Sequence, residues 1–259
     1  MYGIHAGSSL EGKALLVTGG ASGIGRSVAL LLADSGAHVT IGDLNEAGMA
    51  ETVRLAAEAG AAHPVAAIRC DVSIEADIAA LVDKACAATG RLDGAANVAG
   101  YPPRQKLMQD IGWADWEKCV AVNLGGPFFC MKHEIVRMLE TGGGAIVNVS
   151  SNTAIAGHTH MSDYTSAKAG VVGLVNVAVQ EYGLKGIRVN TVLPGPVETP
   201  MLLALMANAP EVEGEMTGGL PGRLAHPDEV GYAVRWLLSP EASYVNGACL
   251  TVDYGMTTG

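Results

Sequence analysis

The sequence predicts an α/β fold, in which one doubly wound sheet of about seven parallel strands carries helices on both faces. Seven short apolar runs alternate with longer amphipathic segments, and such alternation is typical of repeated strand–helix–strand units. A glycine-rich turn joins the first run to the segment that follows it. The chain has 259 residues, of which 49% are hydrophobic, so it can bury the core of a single domain.

The predicted strands end where polar or glycine residues begin. In chain order they are Ala14–Thr18, His38–Gly42, Val65–Cys70, Leu92–Asn97, Gly144–Ser150, Ile187–Val192 and Ala248–Val252. Because the ligand crevice of such a sheet lies beyond the carboxyl ends of its strands, residues at those ends are expected to meet. The residues in question are Gly19, Asp43, Asp71, Asn97, Ser151 and Pro194.

The turn after the first strand reads Thr-Gly-Gly-Ala-Ser-Gly-Ile-Gly over residues 18–25. Gly19, Gly23 and Gly25 would let the backbone turn sharply and approach a pyrophosphate, which the N-terminus of the next helix attracts. This strand–turn–helix pattern predicts a Rossmann-type dinucleotide site.

Asp43 ends the second strand, 18 residues after Gly25. A carboxylate at that place accepts hydrogen bonds from the adenosine ribose hydroxyls and repels a 2′-phosphate. The alternative is that Asp43 is only a helix cap or turn residue. The first interpretation favours NAD over NADP.

Tyr164 and Lys168 stand four residues apart, and Ser151 precedes Tyr164 by 13 residues. Spacing of four places the phenol and the ammonium on one face of a helix. A neighbouring cation favours the phenolate, so Lys168 is expected to lower the pKa of Tyr164. Tyr164 is therefore a candidate general acid/base, although the two side chains could simply share a solvated face.

These motifs together resemble those of the short-chain dehydrogenase/reductase family, and the similarity extends from about Leu10 to Gly255. Asp71-Val72 is similar to the adenine-contacting pair of the family. Asn97-Val98-Ala99-Gly100 is similar to its Asn-Asn-Ala-Gly motif, with Val98 in place of the second Asn. Residues 194–199, Pro-Gly-Pro-Val-Glu-Thr, are similar to its segment beside the nicotinamide.

The resemblance implies an NAD-dependent oxidoreductase that interconverts a secondary alcohol and a ketone. It implies a catalytic tetrad in which Tyr164 exchanges the proton, Ser151 stabilises the substrate oxygen, Lys168 also binds the nicotinamide ribose, and Asn123 anchors a proton-relay water. The residues predicted to bind the cofactor are Gly19, Ser22, Gly23, Ile24, Gly25, Asp43, Leu44, Asp71, Val72, Asn97, Ala99, Gly100, Tyr164, Lys168, Pro194, Gly195, Val197 and Thr199.

The substrate pocket is less specified by the sequence. Its predicted lining residues are Tyr101, Thr153, His158, His160, Met161, Met201 and Leu205, and a helical lid is predicted near residues 200–218. The apolar lid residues could face a substrate or pack on the body of the protein. We expect a bulky or cyclic alcohol such as a hydroxysteroid or cyclic diol. Sugars and 3-oxoacyl thioesters remain alternatives, as does a catalytically silent NAD-binding sensor or scaffold. Enoyl reduction and sugar-nucleotide epimerisation fit the motif spacing less well.

Composition excludes several other classes. The net charge is −10 and the 16 Lys and Arg are scattered, which argues against a nucleic-acid surface. Apolar stretches are shorter than the roughly 18 residues of a membrane helix, and the first residues do not resemble a signal peptide. Five cysteines without a C-x-x-C pattern suit a reducing compartment, so a cytoplasmic location is expected.

Further expectations concern organisation. Residues 1–9 are predicted to be a flexible arm, and residues 10–259 a single domain. Long helices near Trp113–Leu139 and Asp163–Gly183, together with the Ala248–Met256 segment, are the contacts through which members of the resembling family form tetramers, so a homotetramer is expected. His158 and His160 have no third ligand at a familiar spacing, so no metal is predicted.

Overall fold

The computed structural model of the protein describes residues 10–208 and 222–258. The predicted arm of residues 1–9 and residues 209–218 of the predicted lid lie outside the described residues. The strands are β1 Ala14–Thr18, β2 His38–Asp43, β3 Ala66–Arg69, β4 Gly94–Asn97, β5 Gly144–Val149, β6 Ile187–Pro194 and β7 Cys249–Val252. The α-helices are α1 Gly23–Asp34, α2 Glu46–Glu58, α3 Glu75–Cys86, α4 Trp113–Val120, α5 Gly126–Glu140, α6 Ser162–Tyr182, α7 Pro200–Asn208 and α8 Pro227–Leu238.

The seven strands form one parallel sheet in the order β3-β2-β1-β4-β5-β6-β7. This confirms the predicted doubly wound sheet, and each strand lies within two residues of its predicted bounds. Strand β1 reads Ala-Leu-Leu-Val-Thr and is buried throughout, as expected for a central parallel strand that is covered on both faces. The strand order reverses direction between β1 and β4, which is where such sheets bind ligands.

Two apolar layers flank the sheet. Adjacent residues of β1 divide between them, because successive side chains of a strand point to opposite faces. Leu15 packs with Val28 of α1 and Val234 of α8 on one face. Leu16 packs on the other face with residues of α3, α5 and α6, which include Ile78, Met138 and Val175. The sheet ends are thereby held rigidly between the two helical layers.

The helix predicted at Trp113–Leu139 is present, but it contains a π-helical turn. The structure has α4 and α5 joined by a π-helical turn over Ala121–Gly125. This turn places Asn123 in a fully buried position, where its Oδ1 accepts from Tyr101 N at 3.0 Å and its Nδ2 donates to Tyr101 O at 3.0 Å. Wide turns of this kind are common at functional sites. The helix predicted at Asp163–Gly183 is confirmed as α6.

Among the residues that the structure describes, no helix combines the length and the apolar character that crossing a membrane requires.

Candidate active site

In the glycine turn after β1, backbone segments approach one another so closely that they leave no room for side chains. A Cβ atom on Gly25 would lie 2.0 Å from the carbonyl oxygen of Gly19, and one on Gly19 would lie 2.9 Å from the backbone of Ala99. Gly19 also has a φ of +74°, a conformation that side-chain-bearing residues rarely adopt. Helix α1 begins at Gly23, and its Ser22 N-cap makes no side-chain hydrogen bond. The first N–H groups of α1 can therefore meet an anion.

Thr18 links the glycine turn to the loop after β4 through hydrogen bonds. Its Oγ1 accepts hydrogen bonds from Val98 N at 3.0 Å and from Ala99 N at 3.1 Å. The loop is therefore held by backbone donors, although Val98 replaces the expected Asn. Sequence reasoning did not assign this function to Thr18, because a threonine at the end of a strand carries no specific signal of its own.

Asp43 is both a turn residue and a residue of the cavity wall. Its Oδ2 accepts from Ala21 N at 3.1 Å and its Oδ1 accepts from Asn45 N at 2.9 Å, so it shapes the turn before α2. It also lines the main cavity. A carboxylate has about four acceptor positions, so these two bonds leave capacity for a ligand.

The main cavity has a volume of about 360 Å³ and extends from the glycine turn to α6 and α7. It brings together most of the predicted site. Among the predicted residues, those that line it are Gly19, Ser22, Gly23, Ile24, Gly25, Asp43, Ala99, Gly100, Ser151, Thr153, His158, Met161, Tyr164, Lys168, Pro194, Gly195, Val197, Thr199, Met201 and Leu205. Pro102, Pro103 and Met256 also line it, and no sequence motif indicated them. Met256 reaches the cavity only because the chain returns after β7.

Other predicted residues lie outside this cavity wall. Asp71 Oδ1 accepts from Ser73 N at 2.9 Å and from Ser73 Oγ at 2.6 Å, so this carboxylate closes a local turn. The Tyr101 ring lies near Arg104 and Lys118, whose charged groups are 5.0 and 5.1 Å from its centroid. The remaining predicted residues that do not line the cavity are Leu44, Val72, Asn97, Asn123 and His160.

The catalytic candidates converge at the centre of the cavity. Ser151 follows β5, its Oγ accepts from Thr153 N at 3.2 Å, and it lines the cavity together with Tyr164. The Lys168 Nζ lies 5.6 Å from the centroid of the Tyr164 ring and donates to Val149 O at 3.0 Å. Ser150 Oγ donates to Lys168 O at 2.8 Å. The end of β5 therefore positions both the serine and the lysine against the tyrosine.

Burial sets the proton affinities at this centre in a way that the sequence did not indicate. Desolvation raises the pKa of Tyr164 to about 12, although the hydrogen bond from Ser151 opposes that rise. Desolvation lowers the pKa of Lys168 to about 8. The expected lowering of the Tyr164 pKa by Lys168 is thus not found for the protein alone, because desolvation of the buried phenol has the largest effect on its pKa.

Two further buried groups adjoin the centre. The Asp163 side chain is fully buried, and its Oδ1 accepts from Tyr164 N at 2.8 Å. Asn123 Nδ2 contacts the Cys119 sulfur at 3.3 Å. The hydrogen bond from Tyr164 N shows Asp163 holding the first turn of α6.

Comparisons with known proteins agree with this geometry. A family model described as Enoyl-(Acyl carrier protein) reductase matches residues 19–257. A 2,5-dichloro-2,5-cyclohexadiene-1,4-diol dehydrogenase of Sphingobium indicum is 43% identical over 253 residues, which cover 96% of this chain and 99% of that protein. A cis-4-hydroxycyclohexanecarboxylate dehydrogenase of Sinomonas cyclohexanicum is 41% identical over 252 residues, which cover 97% and 99%.

A solved structure is also similar along nearly the whole chain. It is a 7α-hydroxysteroid dehydrogenase complexed with NADH and 7-oxo glycochenodeoxycholic acid, with a TM-score of 0.89 and 33% identity, covering 96% of this chain and 95% of that one. Since the family model and these relatives match most of the sequence, the site can be assigned to one reaction class. The chain belongs to the short-chain dehydrogenase/reductase family, and it is an oxidoreductase that uses a nicotinamide dinucleotide to interconvert a secondary alcohol and a ketone.

Proposed function

We propose that the protein is an NAD-dependent dehydrogenase of bulky or cyclic apolar secondary alcohols. The observation that supports this most is the composition of the cavity from one end to the other. Asp43 and the glycine turn form one end, Ser151 and Tyr164 stand at the centre, and Met161, Met201 and Leu205 wall the other end. Such a cavity suits a polar dinucleotide at the first end and an apolar ring at the second.

The residues present fit a dinucleotide. The space beside Gly19 and Gly25 is so narrow that a Cβ atom would fill it, and the N–H groups at the start of α1 suit a pyrophosphate. Asp43 would bind the adenosine ribose, and Lys168 the nicotinamide ribose. When bound, the nicotinamide accepts or returns the hydride. We assign the remaining predicted cofactor contacts to the same ligand.

The chain itself handles the proton. In alcohol oxidation Tyr164 takes the hydroxyl proton of the substrate, and Ser151 donates to the substrate oxygen. Below its pKa of about 8 Lys168 supplies a positive charge that favours the phenolate, and Asn123 anchors the water through which the proton reaches solvent. Because burial raises the Tyr164 pKa to about 12, the reactive phenolate becomes more abundant as the pH rises. The rate of oxidation is therefore expected to rise with pH.

NAD rather than NADP is proposed because of the charge at the ribose end. Asp43 lines the cavity there, and a 2′-phosphate beside its carboxylate would be repelled. The neighbouring positions Ser22 and Leu44 are not basic, so they offer no cation for a phosphate. The complex of the similar hydroxysteroid dehydrogenase contains NADH.

Cyclic substrates are proposed because the substrate end is largely apolar and because both curated relatives described above are named for cyclic alcohols. A sugar would leave many hydroxyl groups facing methionine and leucine side chains, which is unfavourable. A silent NAD-binding sensor would not require Ser151, Tyr164 and Lys168 to meet in one cavity. These observations favour an active enzyme over a sugar dehydrogenase or a scaffold.

The proposed assembly is a homotetramer in the cytoplasm. Exposed apolar side chains follow the outer faces of α4, α5 and α6, including Trp113, Phe128, Val136 and Val177. Tyr254 after β7 is also exposed, and large apolar surfaces of this kind commonly mark subunit contacts. Light scattering tests the assembly, and a monomer would contradict it.

The decisive experiment is a spectrophotometric screen in which NAD or NADP is mixed with cyclic diols, cyclohexanols, hydroxysteroids, sugars and hydroxyacyl thioesters. We expect NADH to appear with cyclic alcohols and NADP to support much slower turnover. Binding of NAD without turnover of any alcohol would support the sensor instead. A preference for sugars or thioesters would contradict the proposed substrate class, and faster turnover with NADP would contradict the cofactor.

A further inference from the structure

Glu134 of α5 is a carboxyl group that is fully buried away from the main cavity. Its Oε2 accepts a hydrogen bond from Asn97 Nδ2 at 3.1 Å. The same Asn97 Nδ2 donates to Asn148 Oδ1 at 3.1 Å. Asn97 and Asn148 are partners in the register of β4 and β5. The three side chains therefore connect helix α5 to two neighbouring strands near their carboxyl ends.

Two oxygen atoms of this cluster are buried without a hydrogen-bond donor among the described residues. They are Glu134 Oε1 and Asn97 Oδ1, and they belong to the two groups that the Nδ2–Oε2 bond already joins. Buried acceptors without donors are rare and costly. A proton on Oε1 would supply the missing donor, because a carboxylic acid and a primary amide can form two parallel hydrogen bonds.

The surroundings of Glu134 do not favour a charged carboxylate. No Lys, Arg or His of the described chain forms an ion pair with it. The Cys130 thiol of the same helix lies close enough for the charge of Glu134 to raise its pKa, and Cys70 acts on that thiol in the same direction from the end of β3. Both thiols are themselves kept neutral by burial. Burial also raises the pKa of Glu134 to about 8. This agrees with the two buried oxygens that lack a donor, because both observations favour the protonated carboxyl.

The cluster lies directly behind the proposed active site. Asn97 is followed by Val98, Ala99 and Gly100, which line the cavity. Asn148 precedes Ser151 by three residues on the neighbouring strand. Any displacement of the two strand ends would therefore change the distance between the cofactor loop and the serine.

We propose that Glu134 is held as a neutral carboxylic acid and is a positioning residue, pairing with Asn97 so that the Val98–Gly100 loop and Ser151 keep their spacing. It acts through Asn97 and Asn148 and does not touch the substrate. The effect on turnover rests on the proposed function, whereas the protonation state of Glu134 does not.

The test compares Glu134→Gln with Glu134→Leu. Glutamine can donate to Asn97 Oδ1 and accept from Asn97 Nδ2, so it reproduces the pairing of the neutral acid, whereas leucine keeps the bulk and removes both bonds. We expect Glu134→Gln to keep kcat and KM within about twofold of the wild type, and Glu134→Leu to lower kcat by about tenfold or more, because small misplacements of reacting groups are costly.

Infrared spectroscopy measures the protonation state without using activity. We expect the wild type at neutral pH to show the carbonyl band of a protonated carboxyl, and we expect that band to be missing from Glu134→Gln. If no such band is present, or if Glu134→Gln loses as much turnover as Glu134→Leu, the proposal is wrong. If Glu134→Leu fails to fold, the infrared band and the turnover of Glu134→Gln still test the proposal.

The pH dependence of stability gives a second, independent measurement. The pKa of Glu134 is 4.5 in the unfolded reference and about 8 in the folded protein, so the folded state binds more protons between these values. The contribution of Glu134 to the free energy of unfolding is therefore fully present below about pH 4.5 and declines as the pH rises toward 8. We expect the Tm of the wild type to fall relative to that of Glu134→Gln across this window, and parallel curves would overturn the proposal.

Discussion

The two ends of the main cavity are built differently. At the proposed dinucleotide end the walls are backbone, since a Cβ atom on Gly25 would lie only 2.0 Å from the carbonyl oxygen of Gly19. At the proposed substrate end the walls are side chains, and Met161, Met201 and Leu205 come from α7 and from the start of α6. A backbone wall cannot change shape without moving the sheet ends, whereas a side-chain wall can change by one substitution. We therefore expect the first end to bind the cofactor and the second to determine which substrate fits.

The catalytic centre lies between these ends and depends on both. Ser151 follows a core strand, while Tyr164 and Lys168 stand on α6. If the two ends differ in this way, mutations at the centre should reduce turnover most. Mutations toward the proposed substrate end should have smaller effects that are confined to substrate binding.

The largest effect is expected at the centre. Tyr164→Phe should lower turnover by about 10²- to 10⁴-fold, the scale of general acid–base catalysis, while NAD binding and the fold are kept. Steady-state kinetics and NAD titration measure the two properties. Tyr244→Phe is the matched control, because Tyr244 is fully exposed and should behave as the wild type. A Tyr164→Phe variant with near-normal kcat would show that another group is the general base, and His158 would be the first candidate.

The backbone wall should tolerate no added atom. Gly25→Ala should weaken NAD binding and lower stability by about 1–3 kcal/mol, as overpacking of rigid surroundings does. Thermal unfolding and NAD titration measure the loss. Gly112→Ala is the control, since a Cβ there meets nothing within 4 Å and the φ of −76° suits any residue. Equal behaviour of the two variants would show that the glycine turn is not a rigid wall.

The ribose end should determine cofactor choice without affecting the substrate. Asp43→Ala should reduce the preference for NAD over NADP by about tenfold or more, because it removes an acceptor for the ribose and the repulsion of a phosphate. The ratio of kcat/KM for the two cofactors measures this preference. Asp34→Ala removes a carboxylate from the exposed end of α1 and should leave the ratio unchanged. An unchanged ratio in Asp43→Ala would refute the role of Asp43.

The smallest and most selective effect is expected in the side-chain wall. Leu205→Ala should raise KM for a cyclic alcohol by about threefold to tenfold, since a few lost methyl groups weaken an apolar contact only modestly. The affinity for NAD should not change. Leu203 lies on the same helix, is 46% exposed and does not line the cavity, so Leu203→Ala is the control. If both variants raise KM equally, α7 does not present Leu205 to the substrate.

Much of the fold, including the glycine turn, could be predicted because its signals are local. A continuous apolar run such as that of β1 is buried wherever it pairs, and the glycine spacing specifies the turn that follows. The π-helical turn between α4 and α5 could not be predicted, because helical periodicity continues through it. It contains Asn123, which is hydrogen-bonded to Tyr101, 22 residues earlier in the chain.

The sequence by itself determined the doubly wound sheet, the glycine turn and the candidate set of Ser151, Tyr164 and Lys168. Only the tertiary structure decided that burial raises the pKa of Tyr164 to about 12, that Met256 joins the cavity, and that Glu134 meets Asn97. Propensity and spacing act between residues close along the chain. Desolvation and pairing depend on which distant residues the fold brings together, so they follow from packing and not from any local pattern.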